Sequence, residues 1–491
     1  MSSLARRRIT IIGAGMGGTM MAIFLARRDF EVDIYERRHD LRINNGERGR
    51  SINMTVSIRG LRVLEEVGIL NDNLMKKTIK LKGRMIHNAD GSSIFQPYGI
   101  NEDEVLYSIV RSDLNAALMD YAESHPNVRF HFNTRCVRIN KDLGIVHFEN
   151  ELTKENFSVS TDLIVGADGT FSTVRQQMHR GERANYHQDF MSHGYKELVI
   201  PPAADGTFVL DHNALHIWPR GQRMFLAMPN SDRSFTGTCI LPFEGEGSFA
   251  SLKTEADVLE LFNFEFKSAV PLMPTLTKDF LANRLGEFIT TRTSHWYHKD
   301  QIVLLGDSCH TVTPFYGQGM NAAFEDCAVM NEFIGRFGDN WEAIFAEYQH
   351  SRKRNTDALA DLSLANFDEL RESVKSPAFV ARKQIDIILN RLFPNTWIPL
   401  YTLISHSAMP YADAIERVKK QDQMIKWMGI DLILSIFAEM MALLGLFRRI
   451  GGFIIAKIST SERYQTLHLT PPTDSPGFNA NLVPDQSEPL S

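Results

Sequence analysis

This sequence contains few cysteines, and its net charge is small for its length. Its 491 residues include only Cys136, Cys239, Cys309 and Cys327, which form neither a CxxC pair nor the spacing of a zinc site. So few thiols are typical of a reducing compartment, and we expect an intracellular protein without a bound metal. The formal net charge of −6 provides no basic surplus to neutralise phosphates, which argues against nucleic acid as a partner.

We also expect no secretory signal. Residues 1–8 are basic, and they run directly into an apolar strand without the longer apolar core and cleavage site that a signal needs. The hydrophobic fraction of 43% and the charged fraction of 23% are ordinary for a globular protein. A chain of this length suits about two or three domains.

The first motif lies in residues 8–36, which read as strand, glycine turn, helix and strand. In it, Gly13 permits a tight turn, Gly15 lets the backbone approach a pyrophosphate, and Gly18 permits close packing of helix on strand. Glu36 ends the second strand, where its carboxylate can accept hydrogen bonds from ribose hydroxyls. This pattern predicts a dinucleotide site, but it does not separate NAD from FAD.

Two further motifs each place an aspartate after an apolar strand. One ends in Asp168, and taken alone it favours a simple strand-end turn. The other ends in Asp307, and a glycine turn at 317–319 then opens a helix whose N–H groups could face an anionic cofactor. His310, beside Asp307, suggests a catalytic group, but a packing or supporting role is the favoured interpretation.

The middle of the chain changes character. Short β-rich runs separated by proline and glycine predict a mostly antiparallel sheet, inserted between two parts of the nucleotide-binding domain. These runs are residues 194–200, 207–210, 215–218, 224–227 and 236–241. Residues 340–445 are mainly helical in pattern, and the tail at 459–491 is rich in Pro, Ser, Thr and Asn, which predicts disorder.

The most apolar stretch, residues 430–447, lies near the C-terminus. Its length is close to the lower limit for crossing a bilayer, and Asp431 and Glu439 interrupt it. Three interpretations stay open for the wider segment 430–456: a buried or interfacial helix, an amphipathic membrane anchor, and a transmembrane span.

The three glycine and aspartate motifs, in this order, resemble those of the class A flavoprotein hydroxylases. The resemblance implies FAD as the bound cofactor and NADPH as a co-substrate. Only one convincing phosphate-binding glycine turn is present, as in that class, which lacks a separate nicotinamide domain.

A closer resemblance, to the kynurenine 3-monooxygenase family, extends along residues 8–420. The stretches that carry it are GRSIN at 49–53, MIH at 85–87, Tyr98-Gly99, HGY at 193–195, LHIWPR at 215–220, PFYGQGMN at 314–321 and PLY at 399–401. GRSIN and LHIWPR are specific to this family rather than general flavin motifs.

The resemblance implies an α/β fold: an FAD-binding, Rossmann-like domain of the GR2 type, an inserted antiparallel β-sheet substrate domain, and a helical C-terminal region. The expected first part of the FAD-binding domain is 1–185, with substrate-site segments near 75–105. The β-sheet domain is expected at 186–290, the second FAD-binding part at 291–340, the helical region at 341–458, and the tail at 459–491.

The resemblance also assigns residues to the substrate. Arg84 matches the family's arginine for the substrate carboxylate, which a bidentate guanidinium suits, and Tyr98 shares that carboxylate. Without the resemblance, Arg84 would be read as a solvated charge on a strand. Tyr316 varies among family members, so the shape of the pocket is not assigned. The expected substrate-binding residues are Arg84, Tyr98, Phe315, Tyr316, Asn366 and Tyr401.

A larger set is expected around the cofactor, because it matches the family's FAD positions. Arg111 matches the arginine near the flavin, and Asp307 matches the aspartate that holds the ribose. The expected cofactor-binding residues are Gly13, Gly15, Met16, Gly18, Glu36, Arg37, Thr55, Arg111, Cys136, Asp168, Thr173, Asp307, Gly319, Met320 and Asn321.

The implied reaction is the hydroxylation of L-kynurenine to 3-hydroxykynurenine by O₂ and NADPH, through a flavin C4a-hydroperoxide, in tryptophan degradation. No catalytic side chain is expected, because the flavin carries the chemistry. We expect a monomer or homodimer that is cytoplasmic or membrane-associated, at the mitochondrial outer membrane if the source is an animal. Two alternatives stay open: a class A hydroxylase of another anthranilate-like or phenolic acid, and a non-catalytic protein of the same fold, as in the Rab GDP-dissociation inhibitors.

Overall fold

The computed structural model of the chain describes residues 7–43, 53–372 and 377–427. Most of the GRSIN stretch, the apolar segment 430–456 and the tail 459–491 therefore lie outside the described residues, and the predictions made for them remain predictions. None of the helices in the described ranges combines the length and the apolar character that crossing a membrane requires.

The strands come first in the chain and dominate its first 300 residues. They are β1 (Arg8–Ile12), β2 (Glu31–Tyr35), β3 (Asn53–Val56), β4 (Thr78–Leu81), β5 (Gly83–His87), β6 (Ser93–Pro97), β7 (Leu106–Val110), β8 (Val128–His131), β9 (Thr134–Asn140), β10 (Ile145–Asn150), β11 (Asn156–Ser160), β12 (Leu163–Gly166), β13 (Tyr186–Ile200), β14 (Ala214–Arg220), β15 (Arg223–Pro229), β16 (Phe235–Pro242), β17 (Gly286–Thr293), β18 (Tyr297–His298) and β19 (Ile302–Leu304).

Helices dominate the chain after residue 305. They are α1 (Met16–Ala26), α2 (Ile58–Glu66), α3 (Asp72–Met75), α4 (Arg111–Glu123), α5 (Thr173–His179), α6 (Glu255–Glu265), α7 (Leu276–Ala282), α8 (Asp307–His310), α9 (Gly319–Phe337), α10 (Trp341–Glu372), α11 (Pro377–Leu392), α12 (Leu400–Ser405) and α13 (Tyr411–Trp427). Short 3₁₀ turns occupy Val270–Leu272 and Pro314–Tyr316.

The nucleotide-binding sheet has the strand order β18-β19-β12-β1-β2-β8 and is parallel except where β18 meets β19. Ile12 pairs with Gly166, and Gly166 pairs with Leu304. Since the carboxyl ends of parallel strands share one edge, the three motifs that follow these strands converge there.

The second large sheet has the order β17-β13-β16-β15-β14-β5-β6. All its pairs are antiparallel except that of β14 with β5, which aligns Leu215 with Arg84. A segment from the first hundred residues thus joins the sheet formed after residue 186. The mixed α/β fold with an inserted sheet and a helical C-terminal region confirms the predicted fold class.

One predicted strand is wrong. Residues 207–210 form no strand, because Thr207 closes a turn in which its N–H and hydroxyl both donate to Asp205. The apolar residues that follow pack against the hydrophobic core on one face of the second sheet: Phe208, Val209 and Leu210. Their side chains account for the apolar run without any partner strand.

A buried carboxylate on α9 ties several elements together. Asp326 is fully buried and accepts hydrogen bonds from His310 at 2.6 Å, from Arg352 at 2.7 Å and from the N–H of Gly306 at 3.2 Å. Burial alone would lower the pKa of His310, but Asp326 outweighs it and raises that pKa well above its usual value. Because His310 and the Gly306 N–H donate to the same carboxylate, His310 helps to hold the turn before Asp307.

We predict that Asp326→Asn lowers the free energy of unfolding by about 3–5 kcal/mol, because it leaves the buried His310 without its compensating charge. Chemical denaturation followed by circular dichroism measures the change. Asp413→Asn is the matched control, since Asp413 is half-exposed in its pair with Arg354 and should cost less than about 1 kcal/mol. Equal losses in the two variants would contradict a special role for Asp326.

Candidate active site

One cavity of about 490 Å³ lies where the edge of the nucleotide-binding sheet meets the second sheet. It is lined by all the residues predicted for the cofactor except Asn321, and by all those predicted for the substrate except Asn366. Positions from residue 12 to residue 401 thus contribute to one cavity. The cavity also includes side chains that were not predicted as site residues: Leu215, Leu226, Met228, Thr236, Thr238, Ile240 and Phe288.

Those additional side chains come from one face of the second sheet. Leu215 lies on β14, Leu226 on β15, Ile240 on β16 and Phe288 on β17. Alternate residues of a strand face the same side, so the period-two pattern could have indicated that they share a face. It could not have indicated that this face meets a cofactor cavity.

The glycine turn after β1 leaves no space for side chains at two of its positions. A Cβ on Gly13, whose φ is +103°, would overlap the carbonyl of Ala167, and a Cβ on Gly18 would overlap the carbonyl of Gly13. At Gly15 a Cβ would meet nothing within 4 Å, because the position opens onto the cavity. The turn is therefore closed on the protein side and open where a pyrophosphate would lie.

Glu36 follows β2 and is buried. Its Oε2 accepts from the N–H of Ala14 at 3.0 Å, and its Oε1 accepts from the N–H of Arg38 at 3.0 Å and from the Arg38 side chain at 3.1 Å. A carboxylate offers about four acceptor positions, so Oε2 retains capacity for a ribose hydroxyl. Since Glu36 lines the cavity, its geometry fits the sugar of a dinucleotide.

Asp168 and Asp307 differ in their surroundings. Asp168 accepts from Ser172, from Ser308 and from the N–H groups of Thr173 and Val174, so it holds its own turn together. The Asp307 carboxylate receives no hydrogen bond from the described residues and faces the cavity. Enclosure by protein raises the pKa of Asp307, and Arg111 partly offsets that effect. Asp307 is therefore positioned to accept from a polyol chain such as the ribityl group of FAD.

Asn321 lies behind the cavity rather than on its surface. It is fully buried; its Oδ1 accepts from the N–H of Ser57 at 3.0 Å, and its Nδ2 donates to the carbonyls of Thr55 at 2.9 Å and Gly317 at 3.0 Å. Thr55, which does line the cavity, also donates to the Gly317 carbonyl at 3.0 Å. Asn321 thus joins β3 and α2 to the turn that opens α9.

At the other end of the cavity, Arg84 stands among tyrosines. Its guanidinium lies 5.0 Å from the ring centre of Tyr401 and 5.5 Å from that of Tyr98, and these two rings stack at 5.2 Å. Tyr316 stacks on Tyr401 at 5.6 Å. Burial raises the pKa of Tyr98 and of Tyr401, so both phenols remain neutral hydrogen-bond donors at ordinary pH.

Arg84 has an unused donor. Its Nε is buried and has no hydrogen-bond partner among the described residues. Burial alone would lower the pKa of Arg84, but Tyr401, Tyr98 and Glu369 raise it, so the guanidinium stays charged. An unsatisfied buried donor on a charged group costs free energy until an anion occupies it.

Asn366 supports this end from behind. Its Nδ2 donates to the carbonyl of Phe315 at 2.7 Å, and the ring of Phe367 packs at a tilt against that of Phe315, with the ring centres 4.5 Å apart. Glu369, one turn further along α10, was not predicted as a site residue, yet its charge acts on both Arg84 and Tyr316. The spacing of Asn366 and Glu369, three residues apart on one helix, is the signal that could have indicated it.

The comparisons with known proteins agree with this geometry. The sequence model of a family described as an FAD binding domain matches residues 6–363. The fold resembles that of a 2-methyl-3-hydroxypyridine-5-carboxylic acid oxygenase, with a TM-score of 0.61 and 21% identity over 77% of this chain and 95% of that one. It also resembles that of PqsL from P. aeruginosa, with a TM-score of 0.60 and 18% identity over 74% of this chain and 97% of that one. The chain is thus a member of the FAD-binding domain family, and its fold is that of these two proteins.

Relatives with higher sequence identity give a more specific family assignment. A kynurenine 3-monooxygenase of Salinispora arenicola is 44% identical over 432 residues, which cover 88% of this chain and 95% of that protein. One of Anopheles gambiae is 38% identical over 419 residues, covering 85% of each. The chain belongs to the kynurenine 3-monooxygenase family, and this confirms the predicted resemblance.

We predict that Gly15→Ala and Gly18→Ala separate cofactor binding from folding. Gly15→Ala should weaken FAD binding while leaving the Tm of the cofactor-free protein unchanged, because its Cβ enters only the cavity. Gly18→Ala should lower that Tm and cost about 1–3 kcal/mol, because its Cβ overlaps backbone. Differential scanning fluorimetry and titration of the flavin fluorescence measure the two effects. An equal loss of Tm in both variants would contradict the assignment of Gly15 to the cofactor side.

Proposed function

We propose that this protein hydroxylates L-kynurenine to 3-hydroxykynurenine, with FAD as bound cofactor and NADPH and O₂ as co-substrates. The balanced reaction consumes kynurenine, NADPH, a proton and O₂ and yields 3-hydroxykynurenine, NADP⁺ and water. The observation that carries the proposal is the buried Nε of Arg84, which has no partner in the described part of the chain and lies among tyrosines in the same cavity as the FAD-binding turns.

The substrate end has the chemistry of an aromatic amino acid site. A charged guanidinium with a free donor suits the α-carboxylate, and the neutral hydroxyls of Tyr98 and Tyr401 can donate to the same group. The apolar side chains of Leu215, Ile240 and Phe315 are suited to the aniline ring of kynurenine.

Three observations show that the cofactor end suits FAD: the open position at Gly15, the spare acceptor capacity of Glu36, and the Asp307 carboxylate, which accepts no hydrogen bond from residues that the structure describes. When bound, FAD supplies the redox chemistry that takes electrons from NADPH and transfers one oxygen atom of O₂ to the substrate. The anilino nitrogen of kynurenine makes the ring position ortho to it electron-rich, and hydroxylation there gives the 3-hydroxy product.

The protein's own contribution is placement and exclusion of water. Arg84 fixes one end of the substrate, and the apolar sheet face with Phe315 shields the reacting ring from solvent. His310 does not line the cavity and is held by Asp326, so we assign it no contact with the substrate. A monomeric or homodimeric state and a membrane contact through residues 430–456 remain predictions.

The first test is NADPH oxidation by the purified, FAD-loaded protein with and without L-kynurenine, with chromatographic analysis of products. We expect kynurenine to accelerate oxidation strongly and 3-hydroxykynurenine to accumulate in step with the NADPH consumed. Anthranilate and 4-hydroxybenzoate serve as comparison substrates. Product from one of these, with none from kynurenine, would overturn the substrate assignment while retaining the flavin hydroxylase class.

We predict that Arg84→Met lowers kcat/KM for kynurenine by about 10- to 100-fold, the equivalent of losing a charged hydrogen bond worth about 1.5–3 kcal/mol. Most of the change should appear in KM, because Arg84 contacts a part of the substrate that does not react. Arg62→Met, an exposed arginine on α2, is the control and should be unaffected. An unchanged KM for Arg84→Met would contradict carboxylate binding at this residue.

A further inference from the structure

A buried arginine on α2, Arg59, donates to the chain around α12. Its Nε donates to the carbonyl of Ile404 at 2.9 Å, and its Nη2 donates to the carbonyls of Leu403 and Met409. Its guanidinium also lies 4.0 Å above the ring of Tyr411, at the start of α13. Only 2% of Arg59 is exposed, so these contacts form in the interior of the protein.

The charge of Arg59 is balanced by a continuous chain of charged side chains, which are buried except for the partly buried Glu325. Its Nη1 donates to Glu325 at 2.6 Å, and the other oxygen of Glu325 accepts from Arg352 at 3.2 Å. Arg352 in turn donates to Asp326, which also binds His310 and the Gly306 N–H. Charges of opposite sign thus alternate from the turn at Gly306 to α12. If Arg59 were replaced, Glu325 would still accept a hydrogen bond from Arg352.

The helix that Arg59 contacts carries a residue of the substrate end. The α12 helix has only six residues, too few to be stable in isolation. Tyr401, in its first turn, stacks on Tyr98 and lies 5.0 Å from the guanidinium of Arg84. The carbonyls that Arg59 binds include two from the last turn of this helix, which have no partners further along the helix.

We propose that Arg59 is a positioning residue for the substrate end: it anchors α12 so that Tyr401 stands against Arg84 and Tyr98. This inference rests on the proposed function, because it assigns Tyr401 to substrate binding. Arg59 itself does not line the cavity, so it acts through α12.

The cofactor end does not depend on the Arg59 guanidinium. The start of α2 is held by the Ser57 N–H, which donates to Asn321, and by the Ser57 hydroxyl, which donates to Gln318. These bonds would persist after a change at position 59. A loss that is confined to the substrate end is therefore the signature of a positioning role.

The test is Arg59→Lys, which keeps the positive charge but cannot bind Glu325 and several carbonyls at once. We expect KM for kynurenine to rise by between about 10-fold and 100-fold with a smaller change in kcat, while FAD affinity stays unchanged. Arg354→Lys is the matched control: Arg354 is exposed and pairs with Asp413 and Glu416 on α13, so its KM should equal that of the unaltered protein.

Amide hydrogen exchange gives a second readout that needs no substrate. In Arg59→Lys, the amides of residues 400–405 should lose protection, while those of α1 keep it. If the unaltered protein ignores kynurenine but this loss occurs, the proposed substrate is wrong and the anchoring of α12 stands.

Three results would overturn the proposal. One is a lower Tm with unchanged KM and unchanged exchange at 400–405, which would make Arg59 a general stabiliser. Another is a parallel loss of FAD and kynurenine affinity. If Arg59→Lys does not fold, Glu325→Gln takes its place, because it removes the compensating charge and replaces one of the two acceptor oxygens with an NH₂ donor. An unchanged KM with unchanged exchange in that variant is the third result.

Discussion

The parallel register of β1, β12 and β19 is the constraint on which the rest of the site depends. Because Ile12, Gly166 and Leu304 lie side by side, three segments far apart in sequence leave the sheet at one edge. The contact is close enough that the glycine turn touches the backbone of Ala167, so neither segment can move without the other. Much of the FAD-binding side of the cavity follows from this register, since Gly13, Asp168 and Asp307 all come shortly after these strands, and Glu36 follows β2, the neighbour of β1.

The residues at the substrate end of the cavity come from several different elements of the fold. Arg84 enters through β5, which pairs in parallel with β14, while Tyr98, Phe315 and Tyr401 arrive from a loop, a 3₁₀ turn and a short helix. A guanidinium among aromatic rings is stabilised by the ring faces, yet one of its donors has no partner among the described residues. An anion would satisfy this donor, which is the reason for proposing that the carboxylate of the substrate lies at this end.

Between the two ends runs a chain of buried charges from His310 to Arg59. Buried ion pairs are weak evidence of stability, because desolvation offsets most of the attraction, but removing one member is costly. Their contribution here is to fix the positions of the elements that they join, because each hydrogen bond requires a particular direction and length. Asp326 holds the turn before Asp307, and Arg59 holds the helix that carries Tyr401, so the same chain reaches both ligand ends of the cavity.

The sequence by itself determined the local units: the strand, glycine turn, helix and strand of residues 8–36, and the aspartates that follow two apolar strands. These are readable because periodicity and glycine sterics act over a few residues. Most cofactor and substrate positions were assigned by resemblance, and all of those except Asn321 and Asn366 line the cavity.

Only the tertiary structure decided the remainder. It placed Asn321 and Asn366 behind the cavity, joined β5 to β14, and turned the apolar run at 207–210 into core packing rather than a strand. The role of Arg59 was also invisible in the sequence, because its partners lie more than 250 residues away. A local pattern can specify which residues share a face, but which faces meet depends on long-range packing, and that is determined only when the whole chain has folded.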